Sequence, residues 1–155
     1  QIAKPLIALS ALENVMIGAF MRHSKLSTAR DKAMAVLEKV KMGHLARRRA
    51  GDLTLSERRR LEVARALALE PEIVLLDEVM AGLNQSEVGL AIELLQNLHA
   101  AGQTFLIIEH NLKVVRAFSE RVVVLDRGRM IAEGTAEEIL SSPEVVKAYL
   151  GEGHK

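Results

Sequence analysis

The stretch Ile73-Val74-Leu75-Leu76-Asp77-Glu78 decides the fold. Its four apolar residues begin with two β-branched ones, and loop residues bound the run. Such a short, continuously apolar segment predicts a buried parallel strand over residues 73–77. Two carboxylates close it, at the end of the strand where open α/β sheets place their ligands. One carboxylate there can hold Mg²⁺, usually through water, because Mg²⁺ prefers oxygen ligands. Its neighbour points another way and can activate or orient a water molecule. An acid at a strand end also caps the element that follows, so the hexapeptide alone leaves both readings open.

Working outward, residues 57–69 have Leu61, Ala64, Leu67 and Ala68 along one helical side, and Glu70-Pro71 ends that helix. Downstream, residues 86–100 predict a helix stopped by Gly102, and residues 104–108 a second buried strand. A helix over 111–118 follows. Strands over 121–125 and 130–133 are joined at Asp126-Arg127-Gly128-Arg129, a hairpin-like turn. Helices over 136–140 and 143–150 close the chain. This alternation predicts an α/β class with a mostly parallel sheet.

Upstream the pattern is different. Lys4-Pro5 marks a loop, and Ser10 with Glu13 forms the sequence of a capping box. A helix carrying Val15, Met16, Ala19 and Phe20 follows. A second helix, over 28–42, is expected to stop at Gly43. Residues 45–52 are a basic connector. Residues 10–50 thus read as a small all-helical unit. The domain division expected is 1–52 for this helical part and 53–155 for the sheet-containing part.

The composition of the 155 residues fits a globular chain. Apolar residues make up 49% and charged residues 26%, which excludes a disordered tail, a collagen-like chain and a coiled coil. No apolar run is long enough to span a bilayer. Cysteine is absent, so neither a disulfide framework nor a thiolate metal site can be built from these residues. One Tyr and three Phe supply little for a base-stacking reader of nucleic acid, and no nucleic-acid partner is expected. The net charge of +1 hides an asymmetry: residues 1–60 carry 13 Lys and Arg against 5 Asp and Glu. Two regions with different partners, or two solvated faces of one domain, would both produce it. The chain begins at Gln1 with no signal segment, which suggests a true N-terminus further upstream.

Two further stretches carry polar chemistry. Leu106-Ile107-Ile108-Glu109-His110 ends a strand in a histidine that could contact a phosphate oxygen and an attacking water, or could be a hydrogen-bonded structural residue. Leu53-Thr54-Leu55-Ser56-Glu57 opens a helix, whose free N–H groups and positive dipole end suit a phosphate. Plain N-capping by Thr54 or Ser56 is the alternative.

Spacing joins these stretches. Asp77 lies 24 residues after Leu53, and His110 lies 33 after Asp77, with Ala81-Gly82-Leu83-Asn84 between. Together with Arg60-Leu61-Glu62-Val63-Ala64-Arg65-Ala66-Leu67-Ala68, this order resembles the ATP-binding-cassette (ABC) ATPase family along the whole chain.

The resemblance implies a P-loop NTPase-like ABC ATPase core with an inserted helical subdomain. It further implies that Leu53–Glu57 corresponds to the signature motif, with Thr54, Ser56 and Glu57 toward nucleotide. Asp77 then takes the Walker B place toward Mg²⁺, and Glu78 that of the catalytic glutamate. Gly82 and Asn84 fall in the D-loop, and His110 matches the switch histidine. Gln1 matches the Q-loop glutamine, toward Mg²⁺ and the transport subunit. The implied cofactors are ATP and Mg²⁺. The implied partners are transmembrane permease subunits and a second ATPase subunit in a head-to-tail dimer. The implied location is peripheral, on the cytoplasmic face of the inner or plasma membrane.

Departures from the family pattern are also legible. Leu55 and Ser56 replace the two signature glycines, Glu57 its glutamine, and Val79 a proline. No Gly-x-x-x-x-Gly-Lys-Ser/Thr loop occurs in these residues. The chain therefore reads as a C-terminal portion starting at the Q-loop, weak or inactive toward ATP by itself, with the Walker A part and its flanking strands upstream. The Arg47–Arg49 cluster reads as a solvated surface toward the anionic leaflet or the permease, with Arg58–Arg60 on the signature helix. Glu109–Val115, the hairpin with Ile131–Thr135 and the ending Pro143–Gly151 resemble the ATPases of branched-chain amino-acid importers. Lipopolysaccharide-export ATPases share a similar ending. A truncated, non-catalytic cassette serving as an interaction module is the other reading.

Overall fold

The computed structural model describes residues 5–150. The chain divides into two compact units, Gln1–Ile108 and Glu109–Lys155.

The first unit begins with helices. Ser10 caps α1 (Ala11–Phe20) in a reciprocal capping box with Glu13, as its sequence predicts. Helix α2 spans Leu26–Lys39, and α3 spans Leu55–Leu67. Short 3₁₀ turns at Gly43–Leu45 and Ala50–Asp52 connect them. The apolar stripes of the three helices form one core. Ala11, Val15 and Ala19 of α1, Ala29, Ala33 and Leu37 of α2, and Leu61 and Ala64 of α3 are all fully buried. Small residues let α1 and α3 approach closely: a Cβ on Gly18 would lie 2.6 Å from the Arg65 carbonyl oxygen. Gly18→Ala is therefore expected to push the two helices apart, lowering stability by about 1–3 kcal/mol in urea unfolding. An unchanged midpoint would show that the crossing has slack.

Strand β1 (Ile73–Asp77), helix α4 (Gln85–Ala100) and strand β2 (Thr104–Ile108) make a βαβ crossover. The strands pair in parallel, with Ile73 opposite Thr104 and Asp77 opposite Ile108. Both strands fall where their sequences predict. Their burial differs from that prediction. Val74 and Leu76 are buried, whereas Leu75 is 72% exposed and Ile73, Leu106 and Ile108 are each more than half exposed. Among the described residues one face of this two-stranded sheet is bare.

The second unit holds α5 (Leu112–Phe118), the antiparallel hairpin β3 (Val122–Asp126) and β4 (Arg129–Gly134), and helices α6 (Ala136–Ser141) and α7 (Pro143–Leu150). The turn residues Arg127 and Gly128 both have positive φ, as a tight two-residue hairpin demands. Among the described residues no helix is long and apolar enough to cross a membrane.

Candidate functional site

Strand β1 delivers Asp77 and Glu78 to one edge of the parallel pair. Asp77 is the last strand residue and is exposed. Glu78 turns the chain away at φ +46. This left-handed conformation costs a residue bearing a Cβ roughly 1–2 kcal/mol. Backbone bonds hold it there: the Glu78 N–H donates to the Ile108 carbonyl at 3.0 Å, and the Glu78 carbonyl accepts from the Ala81 N–H at 3.1 Å. The position of Glu78 is thus fixed by β2 as well as by β1.

The loop after Glu78 runs back against α3. Gly82 has φ +80, and a Cβ built there would sit 3.1 Å from Leu55 Cδ2. Glycine serves both needs, the left-handed backbone and the close passage. The segment resembling the signature motif and the segment resembling the D-loop are therefore neighbours. Ser56, Arg60 and Val63 of α3 share a cavity of about 30 Å³ with Val79, Met80 and Leu83 of that loop.

Two of the predicted nucleotide-side residues already have structural work. Thr54 caps α3: its hydroxyl accepts from the Glu57 N–H at 3.2 Å, and the Glu57 carboxylate accepts from the Thr54 N–H at 2.7 Å. Asn84 caps α4 in the same way with Glu87, at 3.0 and 2.9 Å. Thr54 itself remains exposed and Ser56 half-buried. His110 belongs to the second unit, where it is exposed. Gln1 lies outside the described residues. Among the described residues no three His, Asp or Glu side chains gather into a metal cluster. Asp77 nevertheless suits Mg²⁺, which takes one carboxylate oxygen and keeps several waters.

The basic clusters separate as their positions suggest. Arg47, Arg48 and Arg49 are exposed on the connector. Arg58 instead turns inward, donating from Nη2 to the Gly51 carbonyl at 2.8 Å and from Nε to the Leu53 carbonyl at 3.0 Å. Sequence reading misses this, since a third of an Arg-Arg-Arg run carries no local sign of burial. It also misses Asn14, fully buried on α1. The available signal was a polar residue inside the apolar stripe Ala11, Val15, Gly18, Ala19.

A charged corner ties α1, α2 and the end of α3 together. Glu70, at φ +50, places Oε1 3.1 Å from Lys32 Nζ and 3.3 Å from His23 Nε2. The Lys32 hydrogen bond, then that of His23, holds the Glu70 carboxyl below its ordinary 4.5. A lowered carboxyl value stabilises the fold above the ordinary value and loses that contribution as pH falls through the depressed one. Wild-type protein should therefore be more stable than Glu70→Gln at pH 7, with the difference shrinking as pH falls below the ordinary carboxylate range. A difference independent of pH in thermal unfolding would exclude this origin.

The strand-end carboxylates, the loop behind them and the capped α3 all lie in the first unit. Residues 4–81 match the family model described as ABC transporter, and residues 129–155 the model described as branched-chain amino acid ATP-binding cassette transporter. The chain belongs to the ABC transporter family. It is 42% identical over 127 residues to the high-affinity branched-chain amino acid transport ATP-binding protein LivG of Salmonella typhimurium, a match covering 81% of this chain and 50% of that protein. It is 41% identical over 135 residues to the corresponding BraF of Pseudomonas aeruginosa, covering 86% and 52%. The chain thus spans about half the length of these relatives. Among solved structures, the ADP conformation of an ATP-binding cassette of an ABC transporter superposes with a TM-score of 0.83 at 32% identity, covering 96% of this chain and 65% of that one. Another cassette, cbiO1 from Clostridium perfringens, part of the ABC transporter complex cbiONQ, gives 0.80 at 26% identity over 90% and 56%. The fold is that of an ABC ATPase cassette, α/β with a parallel sheet, as the sequence predicts.

Proposed function

We infer that the complete protein is the ATP-hydrolysing motor subunit of an importer for branched-chain amino acids. The observation that carries this reading is the Asp77-Glu78 pair at the end of β1, fixed by the Ile108 carbonyl, in a chain whose named relatives are branched-chain amino-acid transport proteins. In this reading Asp77 would hold Mg²⁺, which when bound would supply positive charge to the phosphate oxygens. Glu78 orients the attacking water and accepts its proton. His110 contacts the terminal phosphate. Thr54, Ser56 and Glu57 face the nucleotide held by a second ATPase subunit in a head-to-tail dimer, and Gly82 and Asn84 line the contact between the two. Gln1 would take the Q-loop place toward the ion and the permease.

The helical part, residues 1–52, docks on the transmembrane permease, and residues 53–155 complete the ATPase core. The protein sits peripherally on the cytoplasmic face of the membrane. The bare apolar face of β1 and β2 supports further chain packing there in the complete protein, where the phosphate loop would also be found. The lipopolysaccharide-export reading is not favoured, since the relatives named above are amino-acid transport proteins. Phosphate release from Mg-ATP by the complete protein tests the proposal. Release no faster than the uncatalysed background would contradict it.

A further inference from the structure

We propose that Arg58 is a positioning residue that fixes the opening turn of α3 to segment 5–10 through Gly51. The inference rests on the reading of Thr54–Glu57 as a nucleotide-facing segment. Its observations are a continuous set of hydrogen bonds. Segment 5–10 has one turn bond of its own, from the Leu9 N–H to the Leu6 carbonyl, and a single bridge from Ser10 to Arg49, so other groups satisfy much of its backbone. Asn14 does this from α1: its Oδ1 accepts from the Leu6 N–H at 2.9 Å, and its Nδ2 donates to the carbonyls of Leu6 and Ser10 at 3.1 and 2.9 Å.

The other side of the segment is held by the connector. The Gly51 N–H donates to the Ile7 carbonyl at 3.1 Å, and the Ala50 N–H to the Leu9 carbonyl at 2.9 Å. Gly51 then passes the link on, because its own carbonyl accepts from Arg58 Nη2. The same guanidinium takes the Leu53 carbonyl with Nε. One planar fork therefore fastens the middle of the Ala50–Asp52 turn and the residue that follows it to α3, immediately before the cap Thr54. Space at Gly51 is part of the device: a Cβ there would lie 3.2 Å from the Ile7 carbonyl oxygen. Where segment 5–10 sits thus sets where Thr54 sits, through backbone bonds and one buried-side guanidinium fork.

The test uses the complete protein. Arg58→Ala is expected to lower kcat for ATP about tenfold, the order carried by charge-assisted hydrogen bonds, with KM changed less than about twofold. The own-subunit phosphate site is untouched, so the loss appears in kcat. Arg58→Lys keeps the charge but not the fork, and is expected to stay low. Full rescue by lysine, or a kcat per folded molecule equal to wild type, would overturn the proposal. Gly51→Ala, which presses on Ile7 from outside α3, is expected to lower kcat in the same pattern and serves if Arg58→Ala does not fold. Hydrogen exchange gives a readout independent of turnover: the Gly51 amide should exchange faster in Arg58→Ala. If wild type hydrolyses no ATP, the functional reading fails, and unchanged Gly51 protection would then separately overturn the link.

Discussion

Glu78→Gln in the complete protein is expected to reduce ATP turnover roughly a hundredfold to ten-thousandfold, the range that removal of a general base spans. Glutamine keeps the size of the side chain and its capacity to hydrogen-bond, but it cannot accept a proton from water. The backbone of position 78 depends on the bonds to Ile108 and Ala81, which the substitution leaves in place. Folding and nucleotide binding should therefore survive while turnover is lost. Steady-state phosphate release and ATP titration on the same preparation check both halves. Turnover within a few fold of wild type would remove Glu78 from the proposed role and favour the non-catalytic module. Loss of ATP binding together with turnover would point to damage at the edge of β1.

Asn14→Ala is expected to lower stability by about 3 kcal/mol, the largest loss in the helical part from a polar residue. Asn14 is fully buried, and its amide satisfies one N–H and carbonyls of segment 5–10. Alanine leaves those groups without their partner in a place water reaches poorly, so the cost is desolvation as well as a lost bond. Asn14→Asp is expected to fail similarly, because a carboxylate can accept from Leu6 N–H but cannot donate to the carbonyls of Leu6 and Ser10. Urea unfolding at constant m-value measures it. A loss under about 1 kcal/mol would show that segment 5–10 is held by the connector alone.

Much of the fold is legible in local signals. Residues 73–77 and 104–108 carry short apolar runs between breakers, and both strands lie on those bounds. Ser10 and Glu13 write their capping box directly into the sequence. The hairpin follows from Arg127-Gly128. Helix ends are less legible. Helix α3 starts at Leu55 instead of residue 57, since Thr54 is its cap. Helix α2 ends at Lys39, before the expected stop at Gly43. There Lys41 takes the left-handed conformation at φ +57, with the Met42 N–H donating to the Leu37 carbonyl at 2.7 Å. Gly43 has no positive φ, and a Cβ on it would meet only the movable carboxylate of exposed Glu38, so neither room nor backbone freedom demands glycine there.

The candidate site is legible in its chemistry and not in its wiring. Asp77 and Glu78 announce themselves as paired acids after an apolar strand. The left-handed turn at Glu78 does not, because it is imposed by a bond from a strand about thirty residues away. Arg58 and Asn14 are likewise chosen by the irregular segments beside their own helices and, for Asn14, by full burial, which residue type alone does not encode. The half-exposed faces of β1 and β2 depend on what packs there, a tertiary fact that an apolar run cannot report.

In the proposed reading this chain supplies Asp77, Glu78 and His110 to a motor for branched-chain amino-acid import. ATP-driven uptake of labelled leucine tests it most directly, in vesicles holding the complete protein and its permease. Uptake that requires ATP and disappears with Glu78→Gln is the predicted result. Uptake of equal size with Glu78→Gln, or ATP hydrolysis that drives no branched-chain amino-acid uptake, would contradict it.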